Sequence, residues 1–203
     1  IGYPENAIET MQHAFDRGIR IFEIDIAESR DGVLFLHHDD RFGRTIQASG
    51  YNSDTDWSRI AGYRLKDTTG EVTEFHPPKR TGAIVELDRK KTTSFANIWA
   101  AVVAAGAEAN TIMISYSDEE AAEIARVAPG AMMTASARGG RDIATLEGLG
   151  VDRSRIIAWT GTREPDPPAF ARLLKEGVEP AFGTLGRAGE RLDDQYWADD
   201  DGS

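Results

Sequence analysis

The sequence of 203 residues contains no cysteine, which excludes disulfide bonds and thiolate metal sites. It also has no apolar run near the roughly 20 residues that span a membrane. Basic residues are few, with 23 Lys and Arg against 34 Asp and Glu, so the formal net charge is −11. This balance disfavours a nucleic acid as partner, because binding to a phosphate backbone relies on clustered Lys and Arg.

A glycine-rich phosphate turn is missing as well, because Gly139 and Gly140 follow a predicted strand but lack the G-x-G-x-x-G spacing. This argues against an open doubly wound sheet, which usually carries such a turn after its first strand. The chain instead alternates strand patterns with helix patterns, which favours a parallel α/β fold. We predict six main strands, at residues 21–27, 82–90, 110–117, 130–137, 155–161 and 178–186. Helical patterns follow the strands in the second half of the chain.

Residues 21–27 alternate in a way that is typical of a β-strand. Glu23 and Asp25 share one face of that strand, because side chains point to opposite sides with period two. Two like charges on a largely apolar strand need a compensating cation. A hard divalent cation, Mg²⁺ or Ca²⁺, is the natural candidate because it prefers oxygen ligands. An ordinary pair of strand carboxylates is the alternative.

A second apolar run follows the Asp31-Gly32 turn and ends in two histidines. His38 is the candidate general acid or base, because imidazole titrates near neutral pH. His37 is expected to point the other way and to serve in packing or on the surface. Asn6 is interpreted as the N-cap of the first helix, and Asn6 and Arg44 are both interpreted as structural.

These motifs together resemble the glycerophosphodiester phosphodiesterase family. That family has a Pro-Glu-Asn helix start, an E-x-D strand, an Asp-Gly turn, and a His-Asp pair followed by Arg-Thr. The same order occurs here as Pro4-Glu5-Asn6, Glu23-Ile24-Asp25, Asp31-Gly32, His38-Asp39 and Arg44-Thr45. The resemblance is close over residues 1–50 and traceable to about residue 186. It implies a (β/α)8 TIM barrel that uses a divalent cation to hydrolyse glycerophosphodiesters to glycerol 3-phosphate and an alcohol.

The resemblance also implies further site residues. The third metal ligand of the family lies in an E-x-K or D-x-K motif, and Asp88-Arg89-Lys90 fits the second form. Asp88 is therefore the preferred ligand, with Lys90 contacting the phosphate. Glu86 is the alternative ligand, or a deeper carboxylate paired with Lys90. Trp159 is expected to line the mouth of the site, although a core tryptophan fits its position nearly as well.

The resemblance gives expectations about the extent of the chain. Residues 1–203 are predicted to form a single catalytic barrel domain, with residues 46–81 as an irregular, insertion-like segment. A barrel needs eight strands, so the native chain is expected to extend beyond Ile1 and Ser203 and to supply a second catalytic histidine upstream. No helix pattern separates the strands that flank Pro78 and Lys79, so these two residues are expected not to be covalent neighbours.

Two other functions remain open from the sequence. One is a barrel of the same family that binds phosphodiesters without turning them over. The other is a glycosidase-like barrel in which Glu23 and Asp25 are the general acid and base. In the preferred interpretation the partner is a small phosphodiester, whose alcohol moiety the sequence does not define.

Overall fold

The computed structural model describes residues 2–78, 84–162 and 164–183. The chain divides into two compact units, residues 1–114 and residues 115–203. The predicted break between Pro78 and Lys79 lies outside the described residues, and so do residues 82–83 and 184–186 of two predicted strands. The prediction of a single domain stays a prediction.

The first unit contains a four-stranded sheet in the order β2-β1-β3-β4. Strand β1 pairs with β2 in antiparallel and with β3 in parallel orientation, and β3 pairs with β4 in parallel. In chain order the elements are α1 (Ile8–Asp16), β1 (Ile21–Glu28), β2 (Leu34–Leu36), α2 (Trp57–Ile60), β3 (Ile84–Arg89), α3 (Phe95–Ala104) and β4 (Thr111–Ile114).

The register between β1 and β3 sets the site. Glu23 lies opposite Glu86, and Asp25 lies opposite Asp88. Because side chains alternate along each strand, these four carboxylates project from the same face of the two strands. Ile24 and Leu87 are buried on the opposite face. The apolar face therefore anchors the strands while the other face concentrates negative charge.

The second unit repeats strand and helix regularly. Its elements are α4 (Asp118–Val127), β5 (Met132–Ser136), α5 (Gly140–Gly148), β6 (Ile156–Trp159), α6 (Pro167–Lys175) and β7 (Glu179–Ala181). The three strands pair in parallel in the order β5-β6-β7. Side-chain caps begin two of the helices, since Ser117 accepts from the backbone N–H of Glu120 and Asp166 from that of Ala169.

Each of the six predicted strands is present among the described residues, and the second apolar run forms the short strand β2. In the described part of the chain, no helix combines the length and apolar character needed to cross a membrane. The predicted start of the first helix is wrong. Ala7 holds the N-cap position without a side-chain cap, and Asn6 adopts a positive φ of 54°. The amide of Asn6 contacts Asp25 instead, so it does not cap the helix.

The described part of the predicted irregular segment, residues 46–78, has its own apolar core. Ile46, Ile60 and Leu65 are buried together with Phe35 and Phe42. Isolated bridges tie the segment together, as between Ile46 and Leu65. Regular periodicity is absent because most of the segment consists of turns and irregular backbone, yet Ile46, Ile60 and Leu65 are at most 2% exposed. The segment thereby supports the loop of residues 37–45, which carries the candidate histidine.

Candidate active site

Three carboxylates converge where β1 and β3 run side by side. One oxygen from each of Glu23, Asp25 and Asp88 lies within 4.8 Å of the other two. Asp25 and Asp88 are buried, and Glu23 lies at the exposed side of the group. Within the described ranges, this is the one group of three or more metal-type ligands that the geometry brings together.

Lys90 lies between the two buried aspartates, Asp25 and Asp88. Its Nζ is 2.5 Å from Asp25 Oδ1 and 2.8 Å from Asp88 Oδ2. Burial disfavours the charged amine, but the hydrogen bonds to Asp25 and Asp88 outweigh that cost and raise the pKa of Lys90. The lysine is therefore held as a cation between the two aspartates.

Asn6 completes the surroundings of Asp25. Its Nδ2 donates to Asp25 Oδ2 at 2.7 Å, and its Oδ1 accepts from the backbone N–H of Asp25 at 3.0 Å. Both carboxylate oxygens of Asp25 are thus hydrogen-bonded, one to Lys90 and one to Asn6. This fixes the orientation of the carboxylate within the group.

The group fits a divalent cation by charge and by donor type. Three carboxylates face one ammonium, which leaves an excess of negative charge. Asp88 Oδ1 is buried and has no hydrogen-bond partner among the described residues, although such atoms are normally satisfied. Burial, followed by the charges of Asp25 and Asp88, raises the pKa of Glu23 to about 7. A hard cation bound by carboxylate oxygens would relieve both features.

A second set of polar contacts holds His38. The imidazole Nδ1 is 2.6 Å from Asp39 Oδ1, and Arg44 donates to both oxygens of Asp39 at 2.8 Å. Arg44 also donates to both oxygens of Glu5, at 2.7 and 2.8 Å. The hydrogen bonds from Arg44 lower the pKa of Asp39 to about 2, so the carboxylate is ionised. The His38 ring itself is exposed.

His37 occupies a different environment. It is buried, with Nδ1 3.1 Å from Asn52 Oδ1 and Nε2 3.0 Å from Thr45 Oγ1. Asn52 donates its amide nitrogen to the carbonyl of Asp39, so its oxygen is the acceptor for His37. Burial lowers the pKa of His37, so the ring is neutral at neutral pH. Both ring nitrogens are thus used within the protein.

The other sequence-predicted residues lie farther from this centre or in the other unit. Glu86 lies level with Glu23 and outside the group of three carboxylates. Trp159 ends strand β6 in the second unit, where its ring lies so close to Gly183 that a Cβ there would collide with it. The roles assigned to Glu86 and Trp159 stay predictions.

The contacts of the Pro4-Glu5-Asn6 motif with the site could not be predicted from the sequence. Glu5 and Asn6 were interpreted only through helix capping and family resemblance, yet they contact Arg44 and Asp25 respectively. Arg44, interpreted as structural, holds Asp39 beside His38. These contacts join residues 19 and 39 positions apart, so local patterns carry no signal for them. The order of the motifs was the one indication that they belong together.

Comparison with known proteins agrees with this architecture. The model of the glycerophosphoryl diester phosphodiesterase family matches residues 2–123, which is more than half of the chain. The chain belongs to this family. A crystal structure of a glycerophosphoryl diester phosphodiesterase from Parabacteroides distasonis superposes with a TM-score of 0.76 at 27% identity, over 88% of this chain and 66% of that one. The predicted TIM-barrel fold is confirmed.

Two curated relatives share shorter stretches. A glycerophosphoinositol inositolphosphodiesterase of Mus musculus is 34% identical over 65 residues, which are 28% of this chain and 12% of that protein. A glycerophosphodiester phosphodiesterase of Bacillus altitudinis is 31% identical over 75 residues, 35% of this chain and 31% of that protein. The chain therefore matches less than a third of the length of either relative.

Proposed function

We propose that the protein hydrolyses glycerophosphodiesters to glycerol 3-phosphate and an alcohol. The observation that carries the proposal is the convergence of Glu23, Asp25 and Asp88 around Lys90, in a chain that belongs to this family. The names of the similar proteins support the substrate class.

The reaction needs three contributions. Water or a hydroxyl of the substrate bonds to phosphorus and gives up a proton to a base, the bond between phosphorus and the oxygen of the leaving alcohol breaks, and the leaving alkoxide takes up a proton from an acid. A divalent cation held by the three carboxylates would supply charge stabilisation to the phosphoryl oxygens. Lys90 is proposed to add a positive charge toward the same oxygens. Its ammonium is held between Asp25 and Asp88, two of the carboxylates that would bind the cation.

His38 is proposed to transfer a proton at Nε2, as the base that accepts it from the nucleophile or, once protonated there, as the acid that donates it to the leaving alkoxide. It is exposed to solvent and substrate, and Asp39 fixes its Nδ1, which leaves Nε2 for the reaction. A ring held in this way by an ionised carboxylate keeps one orientation and one donor site. His37 is a poor candidate because both of its nitrogens are engaged in the interior.

Turnover of glycerophosphocholine and bis(p-nitrophenyl) phosphate by the natural protein tests the proposal, with and without a chelator. We expect release of glycerol 3-phosphate from the first substrate, loss of activity after chelation, and recovery with Mg²⁺ or Ca²⁺. Activity that persists after exhaustive chelation would contradict metal dependence. Binding of the substrates without turnover would identify the inactive barrel, and cleavage of glycosides without metal would identify the glycosidase-like alternative.

A further inference from the structure

Four charged or polar side chains form a continuous series in the first unit, from Glu5 through Arg44 and Asp39 to His38. Every link in the series is a hydrogen bond of 2.6 to 2.8 Å. Arg44 makes two of them to each carboxylate, so its guanidinium plane is fixed on both sides. Asp39 is held further through its backbone carbonyl, which accepts from the amide of Asn52.

Such a series differs from an ordinary surface ion pair. Single exposed pairs contribute only about 0–1 kcal/mol, because two flexible side chains must be ordered in water. Here the guanidinium group donates to two carboxylates at once, which gives directional contacts that a single ion pair lacks. Asp39 is itself only partly exposed. The arrangement therefore fixes geometry more than it adds stability.

We propose that Glu5 and Arg44 are positioning residues that determine which ring nitrogen of His38 carries the proton. An ionised Asp39 only accepts hydrogen bonds, so His38 Nδ1 must donate and Nε2 is left with its lone pair outward. Arg44 holds the Asp39 carboxylate in the plane this requires, and Glu5 holds Arg44. The inference rests on the proposed role of His38 in proton transfer.

The position of Glu5 in the chain gives this arrangement a second consequence. Its neighbour Asn6 holds Asp25, one of the three converging carboxylates. Two consecutive residues thus reach two parts of the candidate site. Glu5 reaches His38 through Arg44 and Asp39, and Asn6 contacts Asp25 directly. One short segment of backbone therefore carries contacts that support both His38 and Asp25.

The tautomer of His38 can be measured without any turnover. The ¹⁵N shifts of its ring nitrogens are recorded at increasing pH until they no longer change, and they are assigned by comparison with His38→Ala. We expect the proton on Nδ1 in the wild type. Arg44→Met should move the proton toward Nε2, the nitrogen that carries it in a free neutral imidazole, and Glu5→Gln should move it part of the way.

Arg30 supplies a matched control. It forms an analogous forked pair with Asp56 in the same unit, and these hydrogen bonds involve none of the four side chains of the series. Arg30→Met should leave the His38 tautomer unchanged. A shift of the same size in Arg30→Met, or a proton that stays on Nδ1 in Arg44→Met, would overturn the proposal. Arg44→Lys keeps the charge without the fork, and wild-type behaviour in that variant would overturn it too.

Kinetics then separate positioning from binding. We expect Arg44→Met to lower kcat about tenfold with little change in KM, a smaller loss than the 10²–10⁴-fold typical of a proton-transfer group itself. Glu5→Gln should add nothing to Arg44→Met, because Glu5 acts through Arg44. Additive losses would contradict that order. Full activity in His38→Ala would refute the role of His38 in the proposed function, while the tautomer measurement would still decide the contacts.

Discussion

Asn6 contacts Asp25 at both ends of its amide: Nδ2 donates to the carboxylate, and Oδ1 accepts from the backbone N–H. Among the described residues, Asn6 is the one non-glycine residue with a positive φ. Asn adopts this conformation more readily than most residues, but it still costs energy relative to the usual regions. The two hydrogen bonds to Asp25 offset that cost, and the conformation aims the side chain at the site.

Replacement of Asn6 by glycine isolates this contact, because glycine adopts φ 54° without strain. We expect Asn6→Gly to fold and to bind Mg²⁺ or Ca²⁺ about 10–100-fold more weakly, as is typical when a partner of a metal ligand is lost. Calorimetric titration of the cation measures the effect. Asn97→Ala is the control, because it removes an amide contact to Glu28 in the same unit. Equal affinity in Asn6→Gly and the wild type would show that Asp25 needs no such support.

The two adjacent histidines should respond differently to removal. His38→Ala should lose about 10²–10⁴-fold in kcat and keep its stability, because the ring is exposed and its proposed role is proton transfer. His37→Ala should mainly lower the free energy of unfolding, since it leaves Asn52 and Thr45 without their buried partner. Urea unfolding together with initial rates distinguishes the two. The reverse pattern would assign proton transfer to His37.

Asp39 should make folding stability depend on acid pH. Its pKa is about 2 in the folded protein against an ordinary value of 3.8. A carboxyl whose pKa is lowered by folding stabilises the protein above pH 3.8 and loses that contribution as the pH falls toward 2. The shift corresponds to about 2 kcal/mol at most, before allowance for solvent screening. Asp39→Asn should therefore flatten the decline in unfolding free energy across this window, and an unchanged decline would contradict the shift.

Much of the fold could be predicted from the sequence because its signals are local. The alternation at residues 21–27 and the Asp31-Gly32 turn define β1 and β2 without any tertiary information. N-caps are local signals too: the side chains of Ser94 and Asp166 each accept a hydrogen bond from the backbone N–H three residues further on, where a helix begins. Asn6 looks like another such cap in sequence, but its tertiary contact with Asp25 overrides the local preference. A local pattern cannot show which of two hydrogen-bonding partners prevails.

The site could be predicted in part. Alternation places Glu23 and Asp25 on one face, but the strand register decides which carboxylate of β3 lies opposite Asp25. That register follows from long-range pairing, so the sequence alone left Asp88 and Glu86 as alternatives. The double hydrogen bonding of Arg44 was invisible for a similar reason, because Glu5 lies 39 residues away from it.

The choice between Asp88 and Glu86 leads to the sharpest prediction about the metal. Asp88 lies level with Asp25 and carries a buried oxygen without a partner among the described residues, whereas Glu86 lies one layer away beside Glu23. We expect Asp88→Asn and Glu23→Gln to abolish binding of Mg²⁺ or Ca²⁺, and Glu86→Gln to retain most of it. Calorimetric titration measures the affinity, and unfolding curves confirm that each variant is folded. The comparison is fair because each change replaces a carboxylate by an amide of nearly equal size. Tight binding in Asp88→Asn combined with its loss in Glu86→Gln would place the cation one layer deeper along β3, where Lys90 no longer neighbours it.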